Sequence, residues 1–417
     1  MAFISTEKPL PTTDTSKSYL LPLILVTSLF FLWGLANILN SALIAHFQPV
    51  FEIKRAQALL VESAFYLGYF TLAIPAGIFM ERYSYKKGIL LGLVLYAIGA
   101  LLFIPAAKTI TFGYFLIALY IIASGLAFLE TAANPYVTIL GKAESSVQRL
   151  NFSQSFNGLA LVVGPWLAGQ FIFAGNEGSL ETIEQKQQAA NAVIFPYSLI
   201  ACAVLVVAFL FFLTKMPEPT KSTGLKFDKT IFKNKHLVMA ILTQLFYVGA
   251  QAGIWGITIN YITTLLPGTT NEMASKKYMA IGTLLFVVGR FLGTWLMAFT
   301  KDNKLLTLYG GCASALCMLS VFSGGFVAVY SLLSLNFFMS IMFPTIFALG
   351  VRDLGTQTKL GSSLIIMAIV GGALVPPLMG IIADKAGIQQ ALLVPFFCFL
   401  AVVYFGWKGY VIQPQSV

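Results

Sequence analysis

Long apolar segments separated by short polar loops run through almost the whole sequence. With a span of about 20 apolar residues as the unit, the pattern predicts twelve membrane crossings. We place them at 20–45, 58–80, 88–106, 111–139, 150–174, 192–214, 237–265, 278–300, 305–323, 327–351, 361–383 and 389–411. The expected fold class is therefore an all-α integral membrane protein.

The longest polar stretch, rich in Pro and Lys, falls between crossings six and seven and divides the spans into two sets of six. We expect a cytoplasmic tail at 1–19, an N-terminal six-helix half at 20–214, a cytoplasmic linker at 215–236 and a C-terminal six-helix half at 237–417. The halves also resemble each other where spans two and eight end. Two like halves are typical of transporters that rock about a site at the bilayer midplane.

Composition agrees with a membrane protein, because only 10% of the residues are charged and 58% are hydrophobic, whereas a soluble protein has about 25% charged residues. The net charge of +10 would suit nucleic acid, but the basic residues lie in short loops and not on one polar face. With the N-terminus inside, eighteen Lys and Arg residues are cytoplasmic and seven lie outside. The positive-inside rule thus predicts both termini in the cytoplasm. We expect a multi-pass protein of a bacterial inner membrane with no nucleic-acid partner.

Enzyme and metal chemistry find no support in the sequence. The four cysteines lie in apolar runs without a CxxC pair or ligand spacing for a metal. No nucleophile triad, Walker loop or metal motif is present. We expect no enzymatic activity, no cofactor and no metal, and a functional monomer in the lipid bilayer.

The segment Gly77-Ile-Phe-Met-Glu81-Arg82 and the following Lys86 resemble the loop-two signature of the major facilitator superfamily. Glu81 stands for the usual Asp, so the fit is partial. Charges at helix ends can pair with each other and with helix dipoles, and thereby latch a closed state. We expect gating roles for Gly77, Glu81, Arg82 and Lys86; the alternative is a basic loop that only sets topology.

Five further segments are similar to the fucose permease and glucose/galactose transporter family, a branch of that superfamily. They are Phe30-Phe-Leu-Trp-Gly-Leu-Ala-Asn37, Ser63-Ala-Phe-Tyr-Leu-Gly-Tyr-Phe70, Leu129-Glu-Thr-Ala-Ala-Asn-Pro135, Phe246-Tyr-Val-Gly-Ala-Gln251 and Ile341-Met-Phe-Pro-Thr-Ile346. The resemblance implies two pseudo-symmetric halves and a symporter that imports a monosaccharide, a hexose or 6-deoxyhexose, with a cation. Proton coupling is favoured, and sodium coupling or uncoupled transport stay open.

Span one presents Trp33, Asn37, Asn40 and Ser41 on one helix face. An apolar ring beside amide groups suits a pyranose, whose CH face stacks on Trp and whose hydroxyls need hydrogen bonds. We expect these four residues to bind the substrate. The alternative is that the amides hold neighbouring helices together.

Other substrate-binding residues are expected on spans five and seven. The family has a Gln and an Asn near the sugar, and Gln154 and Asn157 match them. Tyr247 and Gln251, one turn apart on span seven, are expected to close the site from the second half.

Glu130 is a carboxylic acid inside an apolar run. A charge there costs at least about 2.5–3.5 kcal/mol, and desolvation favours the neutral form until a gate admits water. The resemblance implies that this Glu links cation and sugar binding, and we expect it in both sites. The alternative is a structural Glu paired with Arg290 or with an amide.

The family pattern is broken at Ser41, where fucose-permease-like members carry an Asp implicated in proton coupling. Glu62 stands where the fucose permease has an uncharged Gln. We hypothesise that Glu62 performs the missing acid's task in cation coupling. The rival interpretation is an interfacial Glu with altered or lost coupling.

Arg290 is the one basic residue well inside a predicted span. We expect it to serve gating or structure by pairing with a carboxylate or with helix carbonyls.

Two other function classes predict different features. A drug/proton exporter predicts an apolar aromatic cavity with few amides, and a non-transporting sugar sensor predicts an added signalling domain.

Overall fold

The computed structural model describes residues 20–53, 60–141, 143–172, 182–217, 229–270 and 273–411. Within these ranges the chain forms α-helices and short 3-10 and π turns, without a β-strand. The helices are α1 Leu20–Phe51, α2 Leu60–Arg82, α3 Tyr85–Leu101, α4 Phe103–Lys108, α5 Phe112–Ile139, α6 Ser146–Leu167, α7 Ile183–Asn191, α8 Ile194–Leu213, α9 Lys235–Leu265, α10 Ala280–Leu296, α11 Asp302–Phe322, α12 Gly325–Met339, α13 Met342–Gly350, α14 Thr358–Met367, α15 Gly371–Ala386 and α16 Leu393–Tyr404.

Eleven helical segments of the described chain are long and apolar enough to cross a membrane. They coincide with eleven of the predicted crossings. The other predicted crossing is α6 with the π turn Ala168–Ile172, which is more polar because it carries Asn151, Gln154 and Asn157. The prediction of an all-α membrane protein is confirmed.

Spans ten and eleven are interrupted. Span ten is broken between α12 and α13 at Ser340 and Ile341. Pro344 has no N–H and therefore cannot donate to the Ser340 carbonyl four residues earlier. Span eleven is broken between α14 and α15 by the 3-10 turn Ala368–Val370. Pro75, by contrast, lies inside the continuous helix α2.

The chain divides into two compact units. We call the one that contains Val137–Ser155 and Lys226–Val417 the C-terminal unit, and the one that contains Leu10–Tyr136 and Phe156–Leu225 the N-terminal unit. The end of α5 and the first part of α6 thus group with α9 to α16.

Close packing inside each unit follows from small and aromatic residues. In the C-terminal unit α9 packs against α13, α15 and α16, and a Cβ at Gly371 would collide with the backbone carbonyl of Leu245 on α9. Gly371 therefore allows α15 and α9 to pack closely. In the N-terminal unit α3 packs against α8, and the Phe103 ring stacks on Tyr197 with 3.6 Å between ring centroids.

Candidate functional site

Glu130 lies on α5 in the interior of the N-terminal unit. Its side chain is 2% exposed, and neither carboxyl oxygen accepts a hydrogen bond from any described residue. A small cavity beside it is lined by Leu29, Phe30, Trp33, Leu129, Glu130 and Ala133. The cavity leaves about 10 Å³ for the centres of water molecules, which corresponds to about one water. The structure therefore brings Trp33 and Glu130, two predicted site residues, to one cavity.

Tyr69 on α2 is a third polar side chain close to Glu130, and no role was predicted for it. Its ring is 2% exposed, and its hydroxyl lies beside the Glu130 carboxyl and the Trp33 indole. The hydroxyl and the carboxyl do not have the geometry of a formed hydrogen bond. The sequence offered one indication of a role for Tyr69, which is its place in the segment 63–70 that resembles the family. Because the side chain is neutral, it does not stand out from the apolar run by its charge.

The predicted polar face of α1 is not uniform. Trp33 is half-buried and Asn37 is exposed, whereas Asn40 is 4% exposed and its Oδ1 atom accepts no hydrogen bond from the described part of the chain. The side chains of Ser41 and Glu62 lie outside the described residues. The predicted exchange of roles between these last two therefore stays a prediction.

Asn157 on α6 joins two helices. Its Nδ2 atom donates to the Phe30 carbonyl of α1 at 3.2 Å. The helices approach closely here because α1 carries Gly34, where a Cβ would lie 2.6 Å from the Asn157 carbonyl oxygen. The amide nitrogen thus makes a helix–helix contact. Phe30 connects this contact to the Glu130 cavity.

In the C-terminal unit Arg290 and Tyr247 bind the interrupted span ten. The Arg290 Nε atom donates to the Ser340 carbonyl at 2.6 Å, and the Tyr247 hydroxyl donates to the Met339 carbonyl at 2.8 Å. Pro344 leaves the Ser340 carbonyl without its helical partner, and an unpaired carbonyl is costly in a membrane. Arg290 and Tyr247 therefore stabilise the break.

Arg290 makes two further contacts. Its Nη1 atom donates to the backbone carbonyl of Gln154 at 2.8 Å, and its guanidinium carbon lies 4.5 Å from the centre of the Phe286 ring. Arg290 is 3% exposed. Of the two kinds of partner expected from the sequence, the structure shows helix carbonyls. The Gln154 side chain is also buried, at 2% exposed.

A second aromatic and amide group lies on α9 and α12. Trp255, one turn beyond the half-buried Gln251, donates from Nε1 to the Asn336 Oδ1 atom at 2.8 Å. Its ring meets Phe286 edge-on, with 5.7 Å between centroids. Asn336 was not predicted, although an Asn within the apolar segment of span ten was a visible signal.

The loop-two signature meets a helix end in the N-terminal unit. The Lys86 Nζ atom donates to the carbonyls of Phe212 and Thr214, at 2.9 and 2.8 Å, where α8 ends. A cation is favoured at the C-terminus of a helix, where the dipole is negative and carbonyls lack partners. This is the kind of contact expected of Lys86.

The other predicted gating residues lie nearby on α2. Gly77 is buried, Glu81 is half-buried and Arg82 is exposed, with the Arg82 guanidinium 5.6 Å from the centre of the Tyr83 ring. No group of three or more His, Cys, Asp and Glu side chains among the described residues could hold a metal ion.

Three comparisons bear on these observations. The chain is 42% identical to the L-fucose-proton symporter of Escherichia coli strain K12, over 94% of this chain and 93% of the relative. It is 37% identical to the Glucose/galactose transporter of Brucella abortus biovar 1, over 97% and 98%. The crystal structure of FucP, a major facilitator superfamily transporter in the outward conformation, matches with a TM-score of 0.84 and 40% identity, over 94% of this chain and 99% of that one.

The sequence profile of the Major Facilitator Superfamily matches residues 24–367. The match covers most of the chain and agrees with the apolar helices described above. The chain belongs to the Major Facilitator Superfamily.

Proposed function

We propose that this chain is a secondary active transporter that imports a monosaccharide together with a proton by alternating access. Its relatives are named as a fucose-proton symporter and a glucose/galactose transporter, and they are transporters and not enzymes. The substrate class is accordingly a hexose or a 6-deoxyhexose. The chain would work in the lipid bilayer as a monomer, without a cofactor.

The observation that carries this proposal is the environment of Glu130. Its carboxyl oxygens have no hydrogen-bond partner among the described residues, and a one-water cavity adjoins them. In an apolar site the neutral acid is the stable form, whereas contact with water favours the carboxylate. Alternate exposure of Glu130 to the two sides of the membrane would therefore let its carboxyl group bind and release one proton in each transport cycle.

Sugar binding is proposed to use the half-buried Trp33 ring and the exposed amide of Asn37. The ring faces the same cavity as Glu130, so the sugar and the proton would bind at adjoining positions. A cavity with room for one water does not hold a pyranose, and the substrate must therefore widen it. Binding of either ligand then changes the affinity for the other, which is the requirement for symport.

A proton fits this cavity better than a sodium ion. Sodium, a hard cation, requires several oxygen ligands. The cavity lining supplies the Glu130 carboxyl together with apolar and indole groups, and the Tyr69 hydroxyl lies beside it. The hypothesis that Glu62 replaces the acid missing at Ser41 adds a second carboxylate to proton coupling.

The proposed orientation has both termini in the cytoplasm of a bacterial inner membrane. Eighteen Lys and Arg residues lie in the segments assigned to that side and seven on the other. Lys86 would then hold the end of α8 at the cytoplasmic surface. Gating by Gly77, Glu81, Arg82 and Arg290 is proposed to accompany the change of access.

The test is sugar-dependent proton uptake by proteoliposomes in weakly buffered medium. Addition of L-fucose, glucose or galactose to the wild type is expected to raise the external pH. Glu130→Gln keeps the shape of the side chain and removes the titrating group, so it should abolish the pH change. Glu184→Gln, at an exposed position on α7, is the matched control and should retain it. Sugar-dependent proton uptake by Glu130→Gln would refute the assignment.

A further inference from the structure

Gln244 on α9 is a buried amide with no hydrogen-bonding role among the described residues. Its side chain is 0% exposed, and neither its amide nitrogen nor its amide oxygen has a hydrogen-bond partner in the described chain. Burying an amide without a hydrogen-bond partner destabilises a protein. A leucine would fill the same space without that cost. The presence of an amide here therefore needs a reason other than packing.

The position of Gln244 on α9 suggests a reason for the amide. Gln251 and Trp255 lie seven and eleven residues further along the helix, within about 20° of Gln244 around the helix axis. The three side chains thus form a single stripe. Gln244 lies about 10 Å from Gln251 along the axis, toward the end of α9 that begins at Lys235.

A second amide with an unpaired atom lies in the same unit. Asn151 is 0% exposed, and its Nδ2 atom donates to the Val147 carbonyl and to the Thr345 Oγ1 atom, at 3.0 and 3.2 Å. Its Oδ1 atom has no partner among the described residues. Thr345 belongs to α13, which packs against α9. Two helices of the C-terminal unit therefore carry unused amide atoms.

We propose that Gln244 is a sugar-binding residue of an inner site, distinct from the site at Trp33 and Glu130. An amide offers two N–H donors and one carbonyl acceptor, which match the adjacent hydroxyl groups of a monosaccharide. In the state open toward the Lys235 end of α9, Gln244 binds the departing sugar, and the Asn151 Oδ1 atom accepts from a further hydroxyl. In the state described here the Gln244 amide and the Asn151 Oδ1 atom are closed off and have no hydrogen-bond partner among the described residues.

This inference rests on the proposed function, since it requires a sugar to pass along α9. It also explains why the protein keeps a costly side chain. An unpaired amide destabilises the state in which it is closed off, and a bound sugar relieves that cost in the open state. Gln244 would thereby favour opening when the substrate is present.

The experiment compares sugar transport from the two sides of proteoliposomes with the protein in one orientation. In Gln244→Leu the KM measured from the side of Lys235 should rise roughly five- to tenfold, as expected for the loss of one or two neutral hydrogen bonds. The KM measured from the opposite side should stay within about twofold of the wild-type value, because the site at Trp33 is intact. The thermal unfolding temperature should be equal or higher, because an unpaired amide has been removed.

The matched control is Thr243→Val. Thr243 is 1% exposed and its hydroxyl is also unpaired in the described chain, but it points about 100° away around the helix. Both KM values should match the wild type. The inference is overturned if Gln244→Leu leaves both KM values unchanged, or if it raises both equally and lowers the unfolding temperature. Absence of sugar transport by the wild type would instead overturn the proposed function.

Discussion

The break in span ten allows a quantitative test of how Arg290 stabilises the protein. Arg290 donates to the Ser340 carbonyl at 2.6 Å and to the Gln154 carbonyl at 2.8 Å. Its replacement by Met keeps an unbranched apolar chain and removes both bonds. An unpaired buried carbonyl costs about 1–3 kcal/mol, while removal of a buried charge returns part of its desolvation cost. We expect Arg290→Met to lower the free energy of unfolding by about 2–3 kcal/mol.

The physical reason for this cost is the missing N–H of Pro344, so a second substitution should relieve it. In Pro344→Ala the new N–H can donate to the Ser340 carbonyl. Arg290→Met should then cost about 1–2 kcal/mol less in the Pro344→Ala background than in the wild type. The bond to the Gln154 carbonyl is lost in both backgrounds and therefore cancels from this difference.

The assay is unfolding by SDS in mixed micelles for the four members of the double-mutant cycle. A parallel cycle with Pro377→Ala, an exposed proline inside α15, is the control and should be additive within about 0.3–0.5 kcal/mol. If the Pro344 cycle is additive within the same limits, Arg290 does not act through the carbonyl that Pro344 leaves free.

Two further predictions concern the coupling groups. Tyr69→Phe removes the hydroxyl beside Glu130, which we expect to donate to the carboxylate once the carboxyl has lost its proton. The loss of that one hydrogen bond, about 1.4 kcal/mol, should slow proton-driven sugar uptake about tenfold. The control Tyr83→Phe, at an exposed position, should transport normally, and a normal rate for Tyr69→Phe would remove Tyr69 from the mechanism. Glu62→Gln should change the dependence of uptake on pH or sodium, and a variant with both dependences unchanged would show that Glu62 has not replaced the acid absent at Ser41.

The membrane crossings could be predicted from the sequence because the bilayer imposes one solvent and one length on every span. Even the crossing that contains α6, which is more polar than the others, was predicted with the same unit of length. The break in span ten was harder to predict. Pro344 indicated a bend, but its effect appears four residues earlier at Ser340, and the partner that satisfies this carbonyl comes from α10, far along the chain.

Neutral polar residues account for most of what the sequence left undecided at the site. The spacing of Asn157 could not distinguish a sugar hydroxyl from the Phe30 carbonyl, because either accepts the same N–H. Tyr69 and Gln244 were missed for a related reason. An uncharged side chain in an apolar run becomes noticeable only when its burial and its lack of partners are known.

The central claim, that this chain couples sugar import to a proton, is tested most directly by accumulation in proteoliposomes. Labelled L-fucose, glucose or galactose would be supplied under an imposed proton gradient, under an imposed sodium gradient and with no gradient. The account predicts that at least one sugar accumulates above its external concentration under the proton gradient alone, and that Glu130→Gln abolishes this accumulation. No accumulation of any of these sugars under the proton gradient would contradict the claim.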